Sequence, residues 1–150
     1  MHILNNHAVF TEDNAVELLT DGRQKFDRLL RDIENAKDHI HLQYYIYKGD
    51  EIGKKLRDAL IKKAKEGVEV RVLYDELGSR SLRKSFFKEL KKAGGFVEVF
   101  FPSRFKFINL RMNYRNHRKL VIIDGVIGYV GGFNVCLLYT SDAADDSLRV

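Results

Sequence analysis

The chain holds little of what would commit it to several common designs. Its one cysteine, Cys136, cannot form an internal disulfide; it fits a reducing compartment, where it serves as a small apolar residue. No apolar run exceeds strand length, so none can span a bilayer, and no charged-then-apolar leader opens the sequence. Internal repeats and low-complexity linkers are absent. From Pro102 to Lys119 there is no acidic residue, while Arg104, Lys106, Arg111, Arg115, Arg118 and Lys119 crowd the same stretch. Interleaved with Phe105, Phe107, Ile108, Leu110 and Tyr114, this basic run points to an anionic partner: phosphate, nucleic acid or an acidic lipid surface.

What is present is enough for one domain with a core. The 150 residues are 45% apolar and 31% charged, with a formal charge of +5. "HIHLQYYI" (39–46) and "VEVRVLYD" (68–75) have strand periodicity, "FVEVFF" (96–101) returns as a strand, and "AVELLT" (15–20) predicts a short one. Between them lie helical patterns. Phe26, Leu29, Leu30, Ile33 and Ala36 share one side of the first, and Asp50 caps a second that ends at Gly67. Ser81 is expected to cap a third, running to Gly94–Gly95. Helices between strands at this spacing predict an α/β fold, a mixed sheet with helices on both faces. His39 and His41 point to one side of their strand; with no third ligand in a zinc pattern, they are expected to form a hydrogen-bonded strand face.

"NHRKLVIIDGVIGYVGGFN" (116–134) reads as a hairpin, because Asp-Gly between apolar runs suits a type I′ turn. With Asp124–Gly125 as a two-residue loop, Ile123 faces Val126, Val121 faces Gly128, Lys119 faces Val130 and His117 faces Gly132. That register places His117, Lys119 and Asn134 on one face with Gly128 and Gly132. Leu120, Ile122, Ile127, Tyr129 and Phe133 then lie on the other, beneath helices. Asp124 stands about 23 Å from His117 at roughly 3.3 Å per residue, which makes it architectural. Chemically, a neutral imidazole can attack phosphorus and carry it as a phosphoryl-histidine, with a lysine and an amide holding the phosphate oxygens. No metal is required.

The spacing His117-x-Lys119-x4-Asp124-x6-Gly131-Gly132-x-Asn134 resembles the HKD motif of the phospholipase D superfamily. With "VELLTDG" near the start and "GVEVRVLYDELGS" (67–79), it is similar to the first catalytic half of bacterial cardiolipin synthases, over residues 8 to 135. The resemblance implies a phospholipase D-like domain that transfers a phosphatidyl group between two phosphatidylglycerols, giving cardiolipin and glycerol. It implies a motif set of His117, Lys119 and Asp124, phosphate contacts from Lys119, Gly132 and Asn134, no metal and no cofactor. Many superfamily members have serine where Gly132 stands, so a hydroxyl contact is missing here; glycine is usual in cardiolipin synthases. It further implies an anionic membrane surface at the cytoplasmic face of the cell membrane, and argues against a nucleic-acid partner.

Two features depart from the family. Its members carry two such motifs, the second histidine acting as acid for the leaving alcohol; this chain has one, so the other half is missing or supplied by a dimer. Residues 136–150, "CLLYTSDAADDSLRV", do not continue the pattern and are expected to be a non-native or disordered tail. Competing readings are a single-motif phosphodiesterase or nuclease working as a homodimer, and an inactive fragment that only binds lipid or phosphate.

Overall fold

Helical and strand periods alternate along the chain, and the elements follow them. The computed structural model describes residues 14–100 and 115–137. α1 (Gly22–Asn35) begins under Asp21, whose carboxylate accepts from the Arg23 and Gln24 amides. β1 (His39–Tyr44) leads to α2 (Glu51–Lys65), capped by Asp50 through the Gly53 amide and stopped where Gly67 takes a φ of +92°. Then come β2 (Glu69–Asp75), α3 (Lys88–Lys92), β3 (Phe96–Phe100), β4 (Leu120–Ile123) and β5 (Ile127–Val130).

The five strands form one mixed sheet in the order β3-β2-β1-β4-β5. β1, β2 and β3 run parallel through helical crossovers; β4 pairs antiparallel with β1, and β5 with β4. Ile40, Leu42, Tyr44, Val70, Val72, Val121 and Ile123 point to one face, where they bury against Phe26, Leu29, Ile33, Leu56, Leu60 and Leu90. Each fully buried aliphatic contributes about 1.5–3 kcal/mol.

Several expectations change. The helices among the described residues share this single core, so the predicted second covering layer is not supplied by them. The opposite face instead forms an open hollow of about 550 Å³ lined by His41, Gln43, Arg71, Leu73, Phe96, Leu120 and Ile122. Residues 15–20 are not a strand; this stretch is tied to α1 through an ion pair between Glu17 and Arg28. The helix expected from Ser81 shrinks to α3. Asp75 draws the Leu77 and Gly78 amides onto Oδ1 and the Ser79 amide onto its carbonyl. Phe86 and Phe87 then pack edge-on to Tyr47 from turns rather than from a helix. The strand of 96–101 is described to Phe100. The basic-aromatic stretch lies outside the described residues through Tyr114, as do residues 138–150.

The hairpin keeps its turn and changes its register. Asp124 and Gly125 have φ of +53° and +69°, and the Val126 amide donates to the Ile123 carbonyl, as a type I′ turn requires. The ladder resumes one residue later: Ile123 pairs with Ile127, Val121 with Tyr129, Ile122 with Gly128 and Leu120 with Val130. A slip of one residue turns every side chain of a strand over. Here it is β4 that turns over relative to β5: Tyr129 faces the helix layer as expected, its hydroxyl bonded to the Asp32 carboxylate of α1, while Val126 and Val130 are exposed. Val121 and Ile123, not Leu120 and Ile122, face the helices.

Candidate functional site

The site forms where the segments after β1 and β5 run side by side. Val135 donates its amide to the Ile46 carbonyl and accepts from the Lys48 amide, forming a parallel bridge between Tyr47 and Val135. Asn134, only 6% exposed, directs Oδ1 to the Ile46 amide at 3.1 Å. From the other side Ser79 Oγ accepts from the Tyr47 amide and donates to the Tyr45 carbonyl. Gly78 permits that approach, since a Cβ there would meet the Tyr45 carbonyl oxygen at 2.3 Å. Tyr45 is thus held in place by both neighbours.

On this fixed tyrosine lies the first site residue. The His117 imidazole is exposed and stacks on the Tyr45 ring, with centroids 3.9 Å apart and planes 21° from parallel. Lys119 Nζ lies 5.8 Å from the same ring and donates to the His117 carbonyl at 2.6 Å. Partial burial pushes its pKa down. The motif histidine and lysine are therefore brought together through Tyr45, a residue that the sequence reading did not single out. Its one local signal was position, at the end of an apolar strand beside Tyr44.

Lys119 also lines a cavity of about 670 Å³ with Gly128, Gly131 and Gly132. In the observed register Gly131 is the neighbour of Lys119, donating its amide to the lysine carbonyl. Gly128 opposes Ile122, not Val121. A Cβ on Gly131 or Gly132 would meet nothing within 4 Å, so both leave room for a ligand. The Asn134 Oδ1 braces the loop after β1.

Asp124 has a different task. Its carboxylate accepts from the amides of Lys37, Asp38 and His39 at 2.9, 2.9 and 3.0 Å, and its own amide donates to the His39 carbonyl. These amide bonds, led by Asp38, hold its pKa below the ordinary carboxylate value. The third letter of the motif thus fastens the turn to the start of β1. At the other end, Arg115 Nη1 stands 3.8 Å from Asp75 Oδ1, both side chains being buried, which anchors the entry to the motif. Asp75 Oδ2 is buried with no hydrogen-bond partner.

His39 and His41 bond to Asp38 and Glu69 at 2.7 and 3.0 Å. Among the described residues no group of three or more His, Cys, Asp or Glu could hold a metal ion. No helix of the described residues is long and apolar enough to cross a membrane. Cys136 is buried.

Comparison with known proteins adds to this geometry. The family model described as cardiolipin synthase, PLD-like domain, matches residues 29–140. The chain is 81% identical to the major cardiolipin synthase ClsA of Bacillus subtilis over 135 residues, 90% of this chain and 28% of the relative. It is 62% identical to a cardiolipin synthase of Oceanobacillus iheyensis over the same shares. The chain therefore spans little more than a quarter of the length of these curated relatives. In fold it is similar to NucT from Helicobacter pylori, with a TM-score of 0.61 at 20% identity over 80% of this chain and 72% of that one. It is also similar to Nuc from Salmonella typhimurium, a phospholipase D family member, with a TM-score of 0.54 at 22% identity over 77% and 68%.

Proposed function

We propose, since this chain belongs to the cardiolipin synthase family with a phospholipase D-like domain, that it provides the nucleophilic half of a phosphatidyl transfer. One observation carries this reading: an exposed imidazole is stacked in place beside a lysine that borders a glycine-lined cavity. His117 forms a bond to phosphorus as the bond to the glycerol headgroup of one phosphatidylglycerol breaks, and the departing oxygen takes a proton. A hydroxyl of a second phosphatidylglycerol then loses its proton and displaces the histidine, giving cardiolipin and glycerol. Lys119, the backbone around Gly132 and the Asn134 Nδ2 group offer positive charge and donors to the phosphate oxygens. Asp124 acts as a positioning residue through the turn.

The proton for the first leaving group comes from outside this motif, from a second motif or a second copy. The substrate lies at the anionic, cytoplasmic face of a membrane. The unit responsible runs through residue 135, with 136–150 as a non-native tail; a genomic frame that reads on as in this sequence would refute that boundary.

The test is turnover of phosphatidylglycerol by the chain restored to the length of its curated relatives. Cardiolipin and glycerol should appear in equal amounts with the wild-type histidine, and neither with His117→Ala. Undiminished transfer by His117→Ala would overturn the assignment.

A further inference from the structure

α1 carries a lysine where its apolar pattern asks for a hydrocarbon side chain. Lys25 precedes Phe26 and stands four positions before Leu29, on the buried side of the helix, and is 6% exposed. Its Nζ donates to the Tyr44 hydroxyl at 2.7 Å and lies 3.7 Å over the Phe26 ring. Among the described residues no carboxylate pairs with it. Burial without a counter-ion lowers its pKa from 10.5 to about 7. For packing alone an apolar residue would serve better there.

The position has a direction. Gln43 opposes Leu120 in the β1–β4 ladder, so Tyr44 and Lys119 are neighbours at its end. Lys25, reaching Tyr44 from the helix layer, lines the same cavity of about 670 Å³ as Lys119 and the glycines. The cavity is rimmed by aliphatic side chains that the fold leaves bare: Val16 is 94% exposed, Leu18 85% and Val130 84%. Cations inside and hydrocarbon at the edge match an anionic amphiphile.

We propose that Lys25 is the second cationic wall of this cavity, and that Lys25 and Lys119 together hold the phosphodiester of an amphiphile whose apolar part rests on the rim. This rests on the reading of Lys119 as a phosphate ligand. An entering anion supplies the charge that Lys25 lacks, so the lysine takes up a proton as the ligand binds, and binding weakens as pH rises through 7. Among the described residues the other charged or titratable groups facing the cavity are Tyr44, Lys119, Tyr129, Arg28, Asp32 and Glu17. Tyr129 is bonded to Asp32, and Arg28 is paired with Glu17. All six are common to wild type and Lys25→Met, as is His117, so the difference between those two proteins reports Lys25.

The experiment is calorimetric binding to the full chain in buffers of differing ionisation heat, at about pH 6 and about pH 8.5, which bracket the lysine. The probes are dihexanoyl phosphatidylglycerol and its deacylated headgroup, glycerophosphoglycerol, both phosphodiesters of constant charge across this range. Wild type should bind the lipid about tenfold more weakly at the higher pH and take up protons on binding, more at the higher pH than at the lower. Lys25→Met should bind weakly at both pH values and lose that proton uptake, while unfolding at no lower denaturant concentration than wild type. Affinity and proton uptake in Lys25→Met equal to those of wild type would overturn the proposal. Equal affinity for the two probes would overturn the part assigned to the apolar rim. If Lys119→Ala binds as wild type does, the underlying phosphate-site reading fails instead.

Discussion

The two ends of the β4–β5 hairpin hold the same sort of material, polar side chains on apolar strands, and use it in opposite ways. At the turn, the Asp124 carboxylate receives three backbone amides and is left with little to offer a ligand. At the open end, His117 is exposed and rests on a tyrosine face, while the Lys119 ammonium donates to a carbonyl beside an open cavity. A polar group whose hydrogen bonds are satisfied costs little and does architecture; one with unused capacity next to room for a ligand can bind and react. In the proposed function, the H and K of the motif serve chemistry and the D serves the scaffold.

Substitutions can break that division. The largest effect is expected from His117→Ala, which should lower phosphatidyl transfer by at least about 10³-fold while costing no more than the stacking contact, about 1 kcal/mol, in stability. Asp124→Ala should do the reverse, costing about 2–3 kcal/mol in urea unfolding as three amides lose their acceptor. Its pH dependence follows from the depressed carboxyl: the stability it adds is present above the unfolded value of 3.8 and lost as pH falls through the lower folded value. An acid titration of unfolding, wild type against Asp124→Asn, measures this. Undisturbed stability in Asp124→Ala would erase the contrast between the two ends.

Lys25→Met should stabilise the chain, by about 2–4 kcal/mol below pH 7. The folded lysine releases its proton near pH 7 and the unfolded one near 10.5, so the unfolded state binds more protons between these values. Wild-type stability should therefore rise with pH across that window, and the advantage of the methionine should fade. Tyr45→Leu removes a stacking contact worth about 1 kcal/mol, and should slow transfer about fivefold with little change in KM. Gly132→Ser should fold normally and stay within about twofold of wild type, since a Cβ there meets open space. A large loss in that variant would mean that the cavity is more crowded than its lining implies.

Local signals were legible where one period or one cap decides the outcome. Asp50 and Gly67 bound α2 because an acceptor and a positive φ are needed at those places whatever surrounds them. Asp124–Gly125 makes its turn for the same reason. The Ser81 helix failed because Asp75 and an aromatic cluster offered the backbone competing bonds and packing. Lys25 gave a signal, a charge in an apolar stripe, that periodicity alone passes over.

By itself the sequence determined the alternation of strands and helices, the turn, and the company of His117 with Lys119, since these depend on neighbours a few positions apart. Tertiary structure alone decided the register of the hairpin, because either pairing satisfies the turn, and Tyr129 with Asp32 and Asp124 with the β1 amides select one. It also decided that Tyr45 supports the imidazole and that Lys25 shares a cavity with Lys119. Those residues are distant in the chain, and contacts between them exist only after the sheet has paired and α1 has packed on it.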